Sequence, residues 1–470
     1  MLFNSAEFLI FLPIVFAVYW LVKKNRRLQN LWIVAASYLF YGWWDWRFLM
    51  LIAFTSGLSW LSGIMIERNR RPKLWLWLSV CVNLAILGLF KYYDFFAAEF
   101  AAMFGLQGER LLLKLVLPVG ISFYTFQALS YTIDVYKKKI VPTRDVVAYF
   151  AYVSFFPQLV AGPIERATNL LPQFLNQRHF NYAQAVDGMR QMLWGFFMKM
   201  AVADRCGWYV DKVWADYASC SSGQLVLAAV LFAVQIYGDF AGYSNIAIGC
   251  AKLFGINLRQ NFRTPYFSRD IAEFWRRWHI SLTTWFRDYL YIPLGGSRVS
   301  CWKVVRNTFI IFLVSGLWHG ANWTFVAWGA YNALLFLPLI LTHRNRKYTD
   351  TVAEGRLLPS IGEVGQMLLT FTLCVIGWIL FRAGSIDEAF LFTRQIFCPG
   401  TGMGDLKFPW LTIVFITVMT VAEWIGRNNE HGLDIRGVKQ VWLRATIYYA
   451  LAVVILLFSI QSENFIYFQF

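Results

Sequence analysis

The chain has 470 residues, of which 58% are hydrophobic, 19% aromatic and only 15% charged, with a mean hydropathy of +0.48. A soluble domain is nearer one quarter charged, so the composition excludes one and implies an all-α, polytopic helical membrane protein. The net charge of +16 is what cytoplasmic loops rich in Lys and Arg produce, and no soluble basic surface is present that would bind nucleic acid.

Basic loops set the expected topology. The first apolar run, Phe8 to Val22, is followed by the cluster Lys23 to Arg27, the reverse of a signal peptide's charge order. That cluster should be cytoplasmic, which puts the N-terminus outside. Leu31 to Trp44 returns outward, and Phe48 to Ile66 comes back to the basic run Glu67 to Lys73. Leu74 to Phe90 and Leu111 to Ile133 read as further spans, while Lys91 to Lys114 is too polar to place. Val146 to Gly162 is apolar but carries Pro157 and ends in Gly162-Pro163, so it reads as a broken or re-entrant piece packed against protein. Gly188 to Ala203 and Gln224 to Phe254 are helical. Asp239 in the second, so apolar a run, should face a cavity or a partner.

Between Phe262 and Ser297, Ile271, Phe274, Trp275, Trp278, Leu282, Trp285, Phe286 and Tyr289 recur at helical spacing. This predicts one amphipathic helix at the interface, with Ser268 or Asp270 capping its start and His279 within it. Phe309 to Leu317 and Trp323 to Leu341 then flank His319. A rise of 1.5 Å per residue puts His319 roughly 20 Å along from Arg306, at membrane depth. An ionisable group there is a functional candidate. Gly316 and Gly320 let other groups approach, and Asn322 is a nearby hydrogen-bond partner. Neutral imidazole, with a pKa near 6.5, can accept a proton as a general base. Arg276 and Arg277 beside His279 favour its neutral form. His179, His343 and His431 read as plain surface residues.

Further spans follow at Val364 to Phe381, Phe408 to Ile425 and Ala445 to Ile460. Arg427 to Arg444 marks a cytoplasmic loop, so the last residues, Asn464 to Phe470, should emerge outside. The pattern suggests about eleven membrane segments on a ~20-residue criterion, in a single integral membrane domain over residues 1–470. The seven cysteines lack CxxC spacing and read as small apolar residues, with neither metal site nor disulfide frame. No internal repeat of the kind many transporters carry is visible, although membrane-depth Asp239 and His319 leave a transporter or channel open as a reading. A scaffold for an export complex is a third reading, and needs no buried histidine.

Four motifs carry a resemblance: Phe156-Pro-Gln-Leu-Val-Ala-Gly-Pro163, Asp239-Phe-Ala-Gly-Tyr-Ser244, Phe274-Trp-Arg-Arg-Trp-His279-Ile-Ser-Leu282 and Leu317-Trp-His-Gly-Ala-Asn-Trp323. In this order they resemble the membrane-bound O-acyltransferase family, in its bacterial branch that acetylates alginate or peptidoglycan. The resemblance implies acetyl transfer from cytoplasmic acetyl-CoA to an acceptor reached from the outer face of the inner membrane, with no bound cofactor. It assigns His319 as the catalytic histidine and His279 as a second one, both lining a central tunnel, with Trp318, Asn322 and Asp239 in support. Phe465-Ile-Tyr467-Phe-Gln-Phe470 resembles a C-terminal motif of envelope acylation systems, which implies Tyr467 as a transient acyl carrier and an extracytoplasmic SGNH-type, esterase-like partner. The phosphates of CoA could meet Arg263, Arg269, Arg276 and Arg277. The acceptor could be alginate, another exopolysaccharide or peptidoglycan, or a lipid hydroxyl within the bilayer.

Overall fold

The computed structural model describes residues 1–68, 70–106, 108–160, 162–397 and 406–458; Tyr467 and the other residues after 458 lie outside this set. Among the described residues the secondary structure is helical throughout. Seven helices are long and apolar enough to cross a membrane: Phe48–Arg68, Pro72–Phe104, Ser222–Leu253, Cys301–His319, Trp323–Leu341, Ile361–Arg382 and Val441–Phe458. Ala6–Leu21 and Trp410–Ile425 are shorter apolar helices. The protein is a polytopic helical membrane protein, as its composition implies. It divides into two compact units, residues 1–189 with 247–259, and residues 190–246 with 260–470.

The first unit is packed on phenylalanine. Phe11, Phe40, Phe156 and Phe254 are buried, with the Phe156 ring centroid 5.3 Å from Phe11 and 5.8 Å from Phe254. Helix Phe48–Arg68 turns a row of small polar residues inward, including Ser56, Ser59 and Ser62. Asn83 donates to Ser59 at 3.4 Å, and the Ser79 and Thr132 hydroxyls lie 3.1 Å apart. Small residues let membrane helices approach closely, and hydroxyl and amide groups bond across the contact.

Three sequence expectations change here. Pro72–Leu87 does not stop near Phe90 but continues through a π-turn, Gly88–Tyr92, into Tyr93–Phe104. The segment left unplaced is therefore largely helical, and Asp94 accepts from the Leu113 and Lys114 amides that follow it. The span expected from Leu111 is non-helical up to Gly120, and the helix runs Ile121–Tyr136. Pro118 supplies no amide hydrogen, and Gly120 adopts φ +73°, where a Cβ would meet the Leu159 carbonyl at 2.6 Å. By contrast, the break near Pro157 is present as expected: Val146–Ser154 ends, and Phe156–Leu159 forms a separate turn. Protein groups satisfy the interrupted backbone, with the Phe156 amide donating to the Ser37 hydroxyl at 3.0 Å.

In the second unit, most of helix Ser222–Leu253 that belongs to it is buried, and Asp239 on it pairs with Lys199 at 2.7 Å. Lys199 also pairs with Asp204 at 2.7 Å. It lies in a π-helical stretch, Phe197–Ala203, a widening of the helix that aims side chains out of the ordinary register. The single interfacial helix expected after Phe262 is instead two short ones, Ile271–Arg277 and Ile280–Phe286. Asp270 caps the first, accepting from the Glu273 amide. The chain breaks at Trp278–His279, where His279 takes a left-handed φ of +42°. The aromatic stripe is core rather than lipid-facing: Phe274, Trp278, Leu282 and Phe286 are all buried. Periodicity identified the buried face but not the kink within it.

Cys301–His319 and Trp323–Leu341 form an antiparallel pair. A Cβ on Gly316 would run into the Phe325 carbonyl, and one on Gly329 into the Phe312 carbonyl, so the pair closes backbone to backbone at these glycines.

Candidate active site

One face of the helix Cys301–His319 carries Thr308, Ile311, Phe312, Ser315 and His319 at helical spacing, and all five line a single cavity of about 560 Å³. The broken helix pair supplies the facing wall, including Trp275, Trp278, His279, Thr283 and Phe286. The two histidines that the sequence singled out therefore open on the same space. Trp318 stands between them, its ring 5.9 Å from His279 and 5.0 Å from His319. Trp328 and Phe381 pack edge-on against His319 at 5.1 and 5.3 Å. Both imidazoles are almost wholly buried, at 1% exposure for His279 and 4% for His319.

The proton on His279 is placed by its neighbours. Its Nδ1 lies 3.0 Å from Asn261 Oδ1. The Asn261 amide donates through Nδ2 to Ser244 Oγ at 3.2 Å, so its oxygen is turned toward His279 and Ser281, whose hydroxyl donates to it at 2.8 Å. An accepting oxygen requires a proton on Nδ1, which leaves the Nε2 lone pair as the basic site. Nε2 has no hydrogen-bond partner among the described residues. Burial pushes the imidazole down to about 3, so it is neutral at pH 7. The sequence attributed that neutrality to Arg276 and Arg277; the structure attributes it to desolvation. The left-handed φ of His279 is sparsely populated for a side-chain-bearing residue, and strain of this kind gathers at functional sites.

The remaining candidates are distributed differently from expectation. Asn322 is committed to structure: it caps the next helix by accepting from the Thr324 amide at 3.0 Å and donates to the Gly384 carbonyl at 2.9 Å. Asp239 belongs to the Lys199 cluster described above. Arg269 and Arg277 are buried and occupied. Arg269 holds Glu273 at 3.0 Å and Asp350 at 3.1 Å, and Arg277 holds Glu273 at 2.8 Å and the Asp350 carbonyl at 3.0 Å. The Arg269 guanidinium keeps the Asp350 carboxyl below the usual carboxylate range. Arg276 donates to the Asn345 carbonyl at 2.8 Å and does line the cavity, together with Arg287 and Arg346. Arg263 is not among the lining residues. The cationic side of the cavity is thus Arg276, Arg287 and Arg346, of which the sequence named only the first.

Asn261 was not foreseen. It sits in an irregular stretch, 18 positions before His279, with no periodicity or motif tying the two together. The nearest signal was Ser244, the last residue of the Asp239 motif, whose hydroxyl is the far end of the same network. Among the described residues, no group of three or more His, Cys, Asp or Glu is placed to hold a metal ion.

Residues 141–376 match the membrane-bound O-acyltransferase family. A relative named "Probable alginate O-acetylase" from Pseudomonas aeruginosa is 39% identical over 409 residues, covering 85% of this chain and 76% of its own. Its counterpart from Pseudomonas putida is 36% identical and aligns over the full length of both. A peptidoglycan O-acetyltransferase from Helicobacter pylori is 34% identical over 83% of this chain and 78% of its own. These likenesses remove the transporter and scaffold readings. With two buried histidines on one cavity between membrane helices, and with identity at this level over most of its length, the chain belongs to the membrane-bound O-acyltransferase family and is an integral membrane acyltransferase.

Proposed function

We propose that the protein moves acetyl groups from cytoplasmic acetyl-CoA across the inner membrane for O-acetylation of an extracytoplasmic polysaccharide, through an acetylated Tyr467. The observation that carries this reading is the shared cavity: His279 and His319 stand in one apolar space whose lining also includes Arg276, Arg287 and Arg346. An apolar slot suits the pantetheine arm of CoA, and guanidinium groups suit its phosphates.

The chemistry follows. His319 takes the proton from the Tyr467 hydroxyl, and the phenolate oxygen attacks the thioester carbonyl. The C–S bond breaks, an aryl acetate forms, and the CoA thiolate leaves and takes up a proton. His279, held neutral with Nδ1 protonated, offers its Nε2 lone pair to a hydrogen-bond donor in the same space. A separate extracytoplasmic esterase-like protein then carries the acetyl group from Tyr467 to the sugar. The names of the Pseudomonas relatives favour alginate or a similar exopolysaccharide as acceptor, and that of the Helicobacter relative favours peptidoglycan.

Intact-mass analysis of the purified protein after incubation with acetyl-CoA tests the reading. The expected result is one acetyl group on the C-terminal peptide, absent in His319→Ala and in Tyr467→Phe. CoA release with no adduct in the wild-type protein overturns the carrier step. Neither release nor adduct, with the extracytoplasmic partner also present, overturns the donor. Acetylation of polymer in cells carrying Tyr467→Phe would equally remove Tyr467 from the path.

A further inference from the structure

A second cavity, of about 510 Å³, lies away from the histidines. Its lining includes Arg205, Lys212 and Lys407 together with Trp208, Phe408 and Trp410. Among the described residues no carboxylate lines it. Lys212 lies 3.8 Å from the centroid of the Trp208 ring. Arg205 donates through Nη1 to the Phe458 carbonyl at 3.0 Å, at the end of the spanning helix Val441–Phe458. Its Nε is buried and has no hydrogen-bond partner among the described residues.

The cavity also receives the start of the helix Trp410–Ile425, through Leu411 and Thr412. That helix has Pro409 at its cap and no side chain accepting from its first turn. A helix N-terminus carries partial positive charge and unsatisfied amide hydrogens, so it adds to the three cations as an anion-binding feature. Three like charges around one concavity repel each other unless an anion sits among them.

What kind of anion is decided by the surroundings. Exposed Phe408 and Trp410 mark a membrane interface. One turn further along the same helix, Val414, Val418 and Val421 form an exposed apolar stripe at helical spacing, 53, 44 and 52% accessible. A headgroup in the cavity would thus have hydrocarbon directly beneath it. We propose that this cavity binds the phosphate of an anionic phospholipid, with Arg205, Lys212, Lys407 and the first turn of Trp410–Ile425 around the phosphate and the acyl chains along Val414, Val418 and Val421. The site prefers a phosphatidylglycerol-type lipid to phosphatidylcholine, because Arg205, Lys212 and Lys407 repel a choline cation and Lys212 already covers the Trp208 ring. This inference rests on the membrane setting alone and stands apart from the acetyl-transfer chemistry.

Native mass spectrometry of the full-length protein in detergent, titrated with phosphatidylglycerol, tests it. A lysine facing an anionic headgroup contributes about fivefold in affinity, so Lys212→Gln with Lys407→Gln should weaken binding about 30-fold if the two add. Both side chains are exposed, so the pair should melt like the wild type. Arg205→Gln should add to the loss, but it also gives up the Phe458 contact and is therefore the secondary variant. Retention of phosphatidylglycerol by the double variant at wild-type affinity overturns the site. Equal binding of phosphatidylcholine overturns the headgroup preference. Displacement of the lipid by millimolar inorganic phosphate would show that the acyl chains contribute nothing and overturn the assignment to a lipid.

Discussion

Replacing Asn261 by leucine is the sharpest test of how the site is set. The change removes the oxygen that accepts from His279 Nδ1 and from the Ser281 hydroxyl, at positions with 0, 1 and 3% exposure. An orphaned buried donor costs about 1–3 kcal/mol. His279 can escape that cost by moving its proton to Nε2, which removes the basic lone pair from the site. The fraction of the useful tautomer then falls, and kcat for acetyl-CoA turnover with it, by about 5- to 150-fold, with little change in KM. Asn261→Asp keeps an acceptor in place and so preserves the tautomer. Its carboxylate favours the imidazolium and raises His279 from about 3 toward its ordinary range near 6.5. Activity of this variant at neutral pH should therefore exceed that of Asn261→Leu, and its rate should fall off on the acid side at a higher pH than that of the wild type. The assay is CoA release from purified protein across pH 4.5–8.5, a window set by these ranges. Wild-type rates in Asn261→Leu, or an unmoved acid limb in Asn261→Asp, would refute the positioning role.

The Lys199 cluster predicts an asymmetry: Lys199→Met leaves Asp204 and Asp239 buried without their shared cation and should cost about 3–5 kcal/mol, whereas Asp239→Asn leaves the Lys199–Asp204 pair intact and should cost far less. Thermal unfolding in detergent reads the difference, and equal losses would contradict it. Gly316→Ala places a methyl group against the Phe325 carbonyl and should force the two helices beside the site apart, with a marked fall in Tm and in CoA release. His279 also makes stability depend on pH. Its folded-state pKa of about 3 lies below the unfolded value near 6.5, so below pH ~6.5 the unfolded chain takes up a proton that the folded one does not, and Tm should fall as pH drops through that window. His279→Gln should flatten the dependence.

Much of this architecture was legible in the sequence. Long apolar runs bounded by Lys and Arg gave the helical membrane class, and Pro157 with Gly162-Pro163 marked a break that the structure contains. Helical rise alone led to the expectation that His319 stands at membrane depth, and in the structure it lines the cavity at the end of the helix face begun by Thr308. Local signals failed where tertiary contacts outweighed them. Ile271 to Tyr289 looks like one continuous helix because its apolar spacing survives the kink at His279, a left-handed residue that no spacing reveals. Arg269 and Arg277 looked free to meet phosphate because Asp350, which Arg269 pairs with, lies about eighty positions away in a polar loop.

The sequence alone determined the helical membrane class, the break near Pro157 and the choice of the two histidines, because these follow from composition, from proline and glycine chemistry and from periodicity within a few turns. Only the tertiary structure decided that both histidines share a cavity, that Asn261 fixes the proton of one of them, and that Arg276, Arg287 and Arg346 are the cations on its wall. Those relations depend on chain segments far apart in sequence meeting at hydrogen-bond distance. Their strength comes from burial, which makes each polar group dependent on whichever partner the fold delivers to it.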